Sequence, residues 1–159
     1  MVIDWKRVFE AGIGAGLVFM VVEMLLVGIT QGTPFGPPRM IAAIGMGEGV
    51  LPPPASFDLG IFLVAMLIHF LLSLVLAAIY AVTVARFGRS FLVAAIVGAV
   101  FGLIVYLVNF YGFTALFPWF ENARNWISIL AHIVFGIALG MMLPAPRVDE
   151  TVHRETPAV

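Results

Sequence analysis

Positions 59–85 of the chain read LGIFLVAMLIHFLLSLVLAAIYAVTVA, a run without any Asp, Glu, Lys or Arg. About 20 helical residues cross a hydrocarbon core of about 30 Å, so this run predicts a transmembrane helix. Three more long runs are predominantly apolar, and the predicted spans are 8–30, 59–85, 90–112 and 124–143. The sequence therefore predicts an all-α integral membrane protein with four transmembrane helices in an up-down bundle.

The remaining segments are too short for a second domain. They are an outer loop at 31–58, a cytoplasmic tail at 144–159 and two shorter connections, so residues 1–159 form one membrane domain. Hydrophobic residues make up 62% of the chain and charged residues 11%, against about 25% charged in soluble domains. The absence of cysteine excludes disulfides and thiolate metal sites. The net charge of −1 gives no reason to expect a nucleic-acid partner.

The basic residues predict the orientation, because Lys and Arg accumulate in short cytoplasmic segments. Two basic residues lie in the outer connections, Arg39 and Arg124. The other six lie before span one, between spans two and three, and after span four: Lys6, Arg7, Arg86, Arg89, Arg147 and Arg154. Both termini are therefore expected on the cytoplasmic side of a bacterial inner membrane.

Small residues recur at four-residue spacing within the spans, which lets helix backbones approach closely in lipid. These candidate packing positions are Gly12, Gly16, Ser73, Ala77, Gly98, Gly102, Gly136 and Gly140. They predict packing within the protein rather than self-association.

In two spans a histidine lies four and eight residues before two of these small residues, on the same helical face. His69 precedes Ser73 and Ala77 in span two, and His132 precedes Gly136 and Gly140 in span four. The match suggests that two copies of one helical hairpin make up the chain, with Gly14 of span one aligned with Gly98 of span three. Spans two and four would then be diagonal neighbours, with the two imidazoles facing each other across the core.

All four spans carry a polar residue in their outer halves. The predicted intramembrane polar cluster consists of Glu23, His69, Tyr106, Asn109 and His132. Polar side chains are costly in lipid and need a structural or functional reason to be there.

Three interpretations compete for this cluster. The favoured one is structural: the side chains lock the helices together, and the protein is an accessory subunit of a larger membrane complex. The second is a b-type haem held by His69 and His132 as axial ligands. The third is a proton or cation carrier or channel that uses Glu23 and the two histidines. The partners expected are the lipid bilayer and either other membrane proteins or further copies of this chain.

The outer loop contains RMIAAIGMGEGVL at 39–51, which is apolar but too short to span. It predicts an interfacial or re-entrant helix that covers the outer mouth of the bundle, with Arg39 and Glu48 anchoring its ends at the level of the headgroups. In the second outer loop, Glu121 and Arg124 are three residues apart and are expected to pair.

The segments PPRMIAAIGMGEGV at 37–50 and IHFLLSLVLAAIYA at 68–81 resemble those of short uncharacterised bacterial four-helix inner-membrane proteins. Many of those proteins carry the label sodium:proline symporter. The resemblance implies the four-helix membrane fold. It does not imply symport, because sodium–solute symporters use more spans and broken helices around a midplane site. In that group an acidic residue often follows Pro-x-Met, and here Ile41 stands in its place.

The chain contains no nucleophile elbow, zinc-protease motif, phosphate loop or dinucleotide fingerprint. The expectation is therefore a non-enzymatic protein, with no metal site and no catalytic residues.

Overall fold

The structure is a computed structural model, and it describes residues 3–88 and 90–143. Its long elements are α1 (Trp5–Gln31), α2 (Gly36–Met46), α3 (Leu59–Thr83), α4 (Phe91–Leu107) and α5 (Trp126–Met142). A π-helical turn, Val108–Gly112, continues α4. Short 3-10 turns lie at Glu48–Val50, Ala85–Phe87, Phe113–Ala115 and Pro118–Ala123. The predicted tail at 144–159 lies outside the described residues.

Polar side chains fix the start of each long apolar helix by accepting hydrogen bonds from free backbone N–H groups. Asp4 accepts from two N–H groups of α1, and Asn125 accepts from two of α5. Asp58 and Ser90 each accept one, at α3 and α4. These caps explain why the helices begin within four residues of the predicted span starts.

Three helical segments are long and apolar enough to cross a membrane: Trp5–Gln31, Leu59–Thr83 and Phe91–Ala115. This confirms three of the predicted spans at the level of length and composition. The fourth, α5, is apolar but has 17 residues. At 1.5 Å per residue it is about 25 Å long.

α1 lies in the middle of the molecule, packed against α3 on one side and α5 on the other. α4 packs against α5, and α2 packs against α3. α3 and α5 therefore share α1 as a neighbour, and the diagonal placement of these two spans stays a prediction.

The pairs α1/α3, α1/α5 and α4/α5 run antiparallel, which defines two sides of the molecule. The long loop and the connection between α4 and α5 lie on one side, called the loop side here; the N-terminus and the end of α5 lie on the other, called the terminal side. On the terminal side α3 meets α4 through the rings of Tyr80 and Phe101, whose centroids are 5.1 Å apart.

The glycines lie where helix backbones meet. A Cβ added at Gly136 would overlap the carbonyl oxygen of Gly98, and one at Gly102 would overlap that of His132. A Cβ at Gly140 would overlap the carbonyl oxygen of Ala94. α4 and α5 are therefore in direct backbone contact, the geometry that small residues permit in lipid.

In the other hairpin, Gly12 faces Ala77 and Gly16 faces Ser73, so α1 and α3 approach through the predicted small residues. Gly14, which the sequence aligned with Gly98, faces Met142 of α5 rather than α3. The alignment of the two hairpins stays a prediction.

The long loop folds over the loop side as a lid made of α2 and residues 47–58. Arg39 is buried, and it donates to the carbonyl oxygens of Ser56 (2.9 Å) and Val50 (3.0 Å). It therefore holds the loop's own backbone, instead of anchoring the helix end as the sequence suggested. The indole N–H of Trp119 donates to the Met40 carbonyl oxygen at 3.0 Å, which ties the second loop to α2.

Candidate ligand cavity

A cavity of about 500 Å³ lies on the loop side, beneath the lid. α1 forms its floor, α3 one wall, and α5 with the extension of α4 the other, while α2 and the two loops cover it. Ligand pockets commonly enclose about 300–1,000 Å³ and are mostly apolar with a few convergent polar groups. This cavity has that size and that character.

α3 and α4 touch through Tyr80 and Phe101 on the terminal side, whereas the cavity lies on the loop side, where Met40 and Ile44 of the lid line it. The π-helical turn contributes to the opposite wall, where Asn109 and Phe110 both line the cavity. π-helical turns inside longer helices often occur at functional sites.

Four residues form a hydrogen-bonded wall of the cavity. Ser128 Oγ donates to Glu23 Oε1 at 2.9 Å, which joins α5 to α1. His132 Nδ1 lies 2.7 Å from the Ser128 carbonyl oxygen, so this nitrogen carries the proton and donates. The other ring nitrogen, Nε2, then accepts from Asn109 Nδ2 at 3.2 Å. Of the predicted polar cluster, Glu23, Asn109 and His132 are thus brought together.

His69 lines the same cavity but makes a separate contact. Its Nε2 lies 2.8 Å from the carbonyl oxygen of Gly16, and it donates to that oxygen. Phe19 of α1 packs against both imidazoles, with ring centroids 5.3 Å from His69 and 4.8 Å from His132. One phenylalanine ring thus contacts both histidines.

A haem held by His69 and His132 would need open space between the two rings and a free nitrogen on each. Phe19 packs against both rings. The Nε2 atoms of both histidines also already make hydrogen bonds. The described residues contain no group of three His, Asp or Glu side chains placed to hold a metal ion.

Tyr106, the remaining member of the predicted polar cluster, is buried behind His132, and their ring centroids are 5.6 Å apart. It does not line the cavity. The predicted packing residue Ser73 lines it, next to His69 on α3.

Phenylalanine rings make up much of the remaining lining. Phe110 packs against His132 with centroids 5.4 Å apart and against Phe120 at 5.7 Å. Phe117 packs on Phe120 at 6.2 Å. Together with Phe19, these rings form a continuous aromatic surface that begins one helical turn from Glu23.

Arg124 supports this surface from outside. Its Nε donates to the Phe110 carbonyl oxygen at 2.7 Å, and its terminal nitrogen donates to Thr114 at 3.1 Å. The same nitrogen lies 3.3 Å from a carboxylate oxygen of Glu121, which confirms the predicted pair. The guanidinium also sits 4.5 Å above the Tyr111 ring. Arg124 thereby satisfies the backbone of the irregular segment that carries Asn109 and Phe110.

Three residues that shape the molecule were not predicted from the sequence. Ser128 lies four residues before His132, on the same helical face, and that spacing could have identified it. Tyr80 continues the face of His69, Ser73 and Ala77, and its hydroxyl has no hydrogen-bond partner among the described residues. No signal in the sequence could have shown that Phe19 contacts both histidines.

Comparison of the chain with protein-family models, curated proteins and solved structures found no match. The geometry of the cavity is therefore the basis for any functional conclusion.

Proposed function

We propose that this protein is a small four-span membrane protein that binds an amphipathic small molecule in the cavity beneath its lid. The observation that carries the proposal is the apolar cavity of about 500 Å³ with Glu23, His69 and His132 in its lining. A molecule with an apolar body and one polar end matches such a lining.

Exposed apolar side chains support the membrane setting. On α3, Leu63, Leu67 and Leu71 are each more than half exposed, and Ile96 and Val100 of α4 are similar. Surfaces of this kind are stable against lipid rather than water. α5 packs antiparallel to α1 and α4, so on this proposal it crosses the bilayer beside them as the fourth span.

The six-to-two distribution of basic residues supports termini in the cytoplasm of a bacterium, with the lid facing outward. The lid would then cover the cavity on the outer side of the inner membrane.

A purely structural role for the polar cluster is less well supported than ligand binding. Side chains that only lock helices together satisfy one another, because an unpaired buried polar atom costs about 1–3 kcal/mol. Glu23 Oε2 is buried and has no hydrogen-bond partner among the described residues. An accessory role in a larger complex concerns the outer surfaces and is compatible with an occupied cavity.

The experiment compares two neighbouring leucines of α3 by native mass spectrometry of protein released from mild detergent. Leu72 lines the cavity and Leu71 lies outside its lining, although both are about half exposed. We expect a small-molecule adduct on the wild type that is lost in Leu72→Trp and kept in Leu71→Trp. An adduct-free wild type, or equal adducts on both variants, would contradict the proposal.

A further inference from the structure

We infer that the ligand of this cavity is an organic cation, an ammonium-type group on an apolar body, held between the Glu23 carboxylate and the phenylalanine rings. This inference rests on the proposed function and adds the charge and the chemical class of the ligand.

The sign of the ligand's charge follows from the residues that line the cavity. Glu23 is the acidic residue of the lining, and none of the described lining residues is Lys or Arg. The buried Arg39 and the half-buried Arg124 are both engaged elsewhere, with backbone carbonyl oxygens. The lining histidines His69 and His132 each donate a ring N–H to a backbone carbonyl oxygen. An anionic ligand would therefore meet a carboxylate with no Lys or Arg to compensate it, whereas a cation would compensate that carboxylate.

Glu23 itself needs such a partner. The residue is only 6% exposed, and its one hydrogen bond within the described residues joins Oε1 to Ser128. A buried carboxylate with one oxygen unpaired is costly unless a positive charge or a donor reaches it. A cation at the adjacent end of the cavity would supply that charge with a small movement of the side chain.

The aromatic surface favours an organic cation over a hydrated inorganic one. Phe19 lies one turn from Glu23 on the same face of α1, and Phe110, Phe117 and Phe120 continue the surface. The face of an aromatic ring attracts ammonium groups, and cages of such rings recognise quaternary ammonium ligands. Mg²⁺ and Ca²⁺ require several oxygen ligands, and a phenylalanine surface cannot provide them.

The test uses two probe ions of the same shape and opposite charge, tetraphenylphosphonium and tetraphenylborate. Each is titrated by calorimetry into full-length protein in a neutral detergent. We expect the cation to bind at least tenfold more tightly than the anion. Glu23→Gln keeps an acceptor for Ser128 but removes the charge, so it should weaken cation binding at least tenfold. Glu10→Gln, an exposed position on the same helix, is the matched control.

A second pair of variants tests the aromatic contribution. Phe19→Leu should weaken cation binding severalfold, since a desolvated cation–π contact is lost. Phe9→Leu, on the exposed face of the same helix, should leave it unchanged. Thermal unfolding of each variant in the same detergent shows whether the fold is kept.

The outcomes separate the two proposals. If both ions bind equally, or if folded Glu23→Gln keeps full affinity for the cation, the cation inference is wrong. The cavity proposal would still stand in that case if Leu72→Trp loses the small-molecule adduct of the wild type. If neither ion binds and the wild type carries no adduct, both proposals are wrong.

Discussion

At the scale of single residues, Glu23 both joins two helices and lines the cavity. Its hydrogen bond with Ser128 joins the central helix α1 to α5 across 105 positions of sequence. The same Ser128 contributes the backbone carbonyl oxygen that fixes the proton of His132 on Nδ1. One serine thus orients both titratable groups on this wall of the cavity.

Ser128→Ala should destabilise the protein by about 1–3 kcal/mol, because it leaves the buried Glu23 carboxylate without its remaining donor. Thermal unfolding in detergent measures this change. Thr83→Ala is the control, since the exposed Thr83 hydroxyl bonds only to the Ile79 carbonyl oxygen of its own helix. Equal midpoints for the two variants would show that the Glu23–Ser128 bond contributes little.

At the scale of helices, hydropathy predicted where the long helices lie along the chain. Long apolar runs predict helices because backbone N–H and C=O groups in lipid must be hydrogen-bonded within the segment itself. The first residues of the helices agree with the predicted starts within a few positions because Asp4, Asp58, Ser90 and Asn125 are strong N-caps. α4 departs from a regular α-helix after Leu107, where the chain continues as a π-helical turn. Arg124, from the second outer loop, donates to the Phe110 carbonyl oxygen of that turn.

The order of the helices and the cavity could not be predicted in the same way. Periodicity shows which residues share a face, but it does not show which helix that face meets. Glu23, Asn109 and His132, which were grouped by depth, are connected through Ser128. His69 was grouped with them, and its imidazole bonds instead to the Gly16 carbonyl oxygen.

Gly136→Ala tests the backbone contact between α4 and α5. The added methyl group would overlap the Gly98 carbonyl oxygen, and backbone atoms cannot rotate away, so we expect a loss of about 1–3 kcal/mol. Gly28→Ala is the matched control. Its methyl group would lie 3.5 Å from Pro34, an ordinary contact, and alanine is the better helix former by up to about 1 kcal/mol. The two variants should therefore shift the unfolding midpoint in opposite directions, and shifts of the same sign would count against the contact.

At the scale of the whole molecule, the absence of cysteine allows a clean topology experiment. Glu48→Cys places a thiol on the loop side and Phe87→Cys places one on the terminal side, both at exposed positions. In intact cells a membrane-impermeant maleimide should label the first and should reach the second only after permeabilisation. Labelling of Phe87→Cys in intact cells would reverse the proposed orientation.

The central position of α1 has a consequence for biosynthesis. α1 is synthesised well before α5, one of the two helices that flank it. Ser128 follows Glu23 by 105 residues, which at about 5–20 residues per second takes roughly 5–20 s. During that interval a newly inserted α1 holds an acidic side chain in the bilayer without its partner. Premature termination before residue 126 would leave that carboxyl exposed within the membrane, a feature by which quality-control proteases could recognise an unfinished chain.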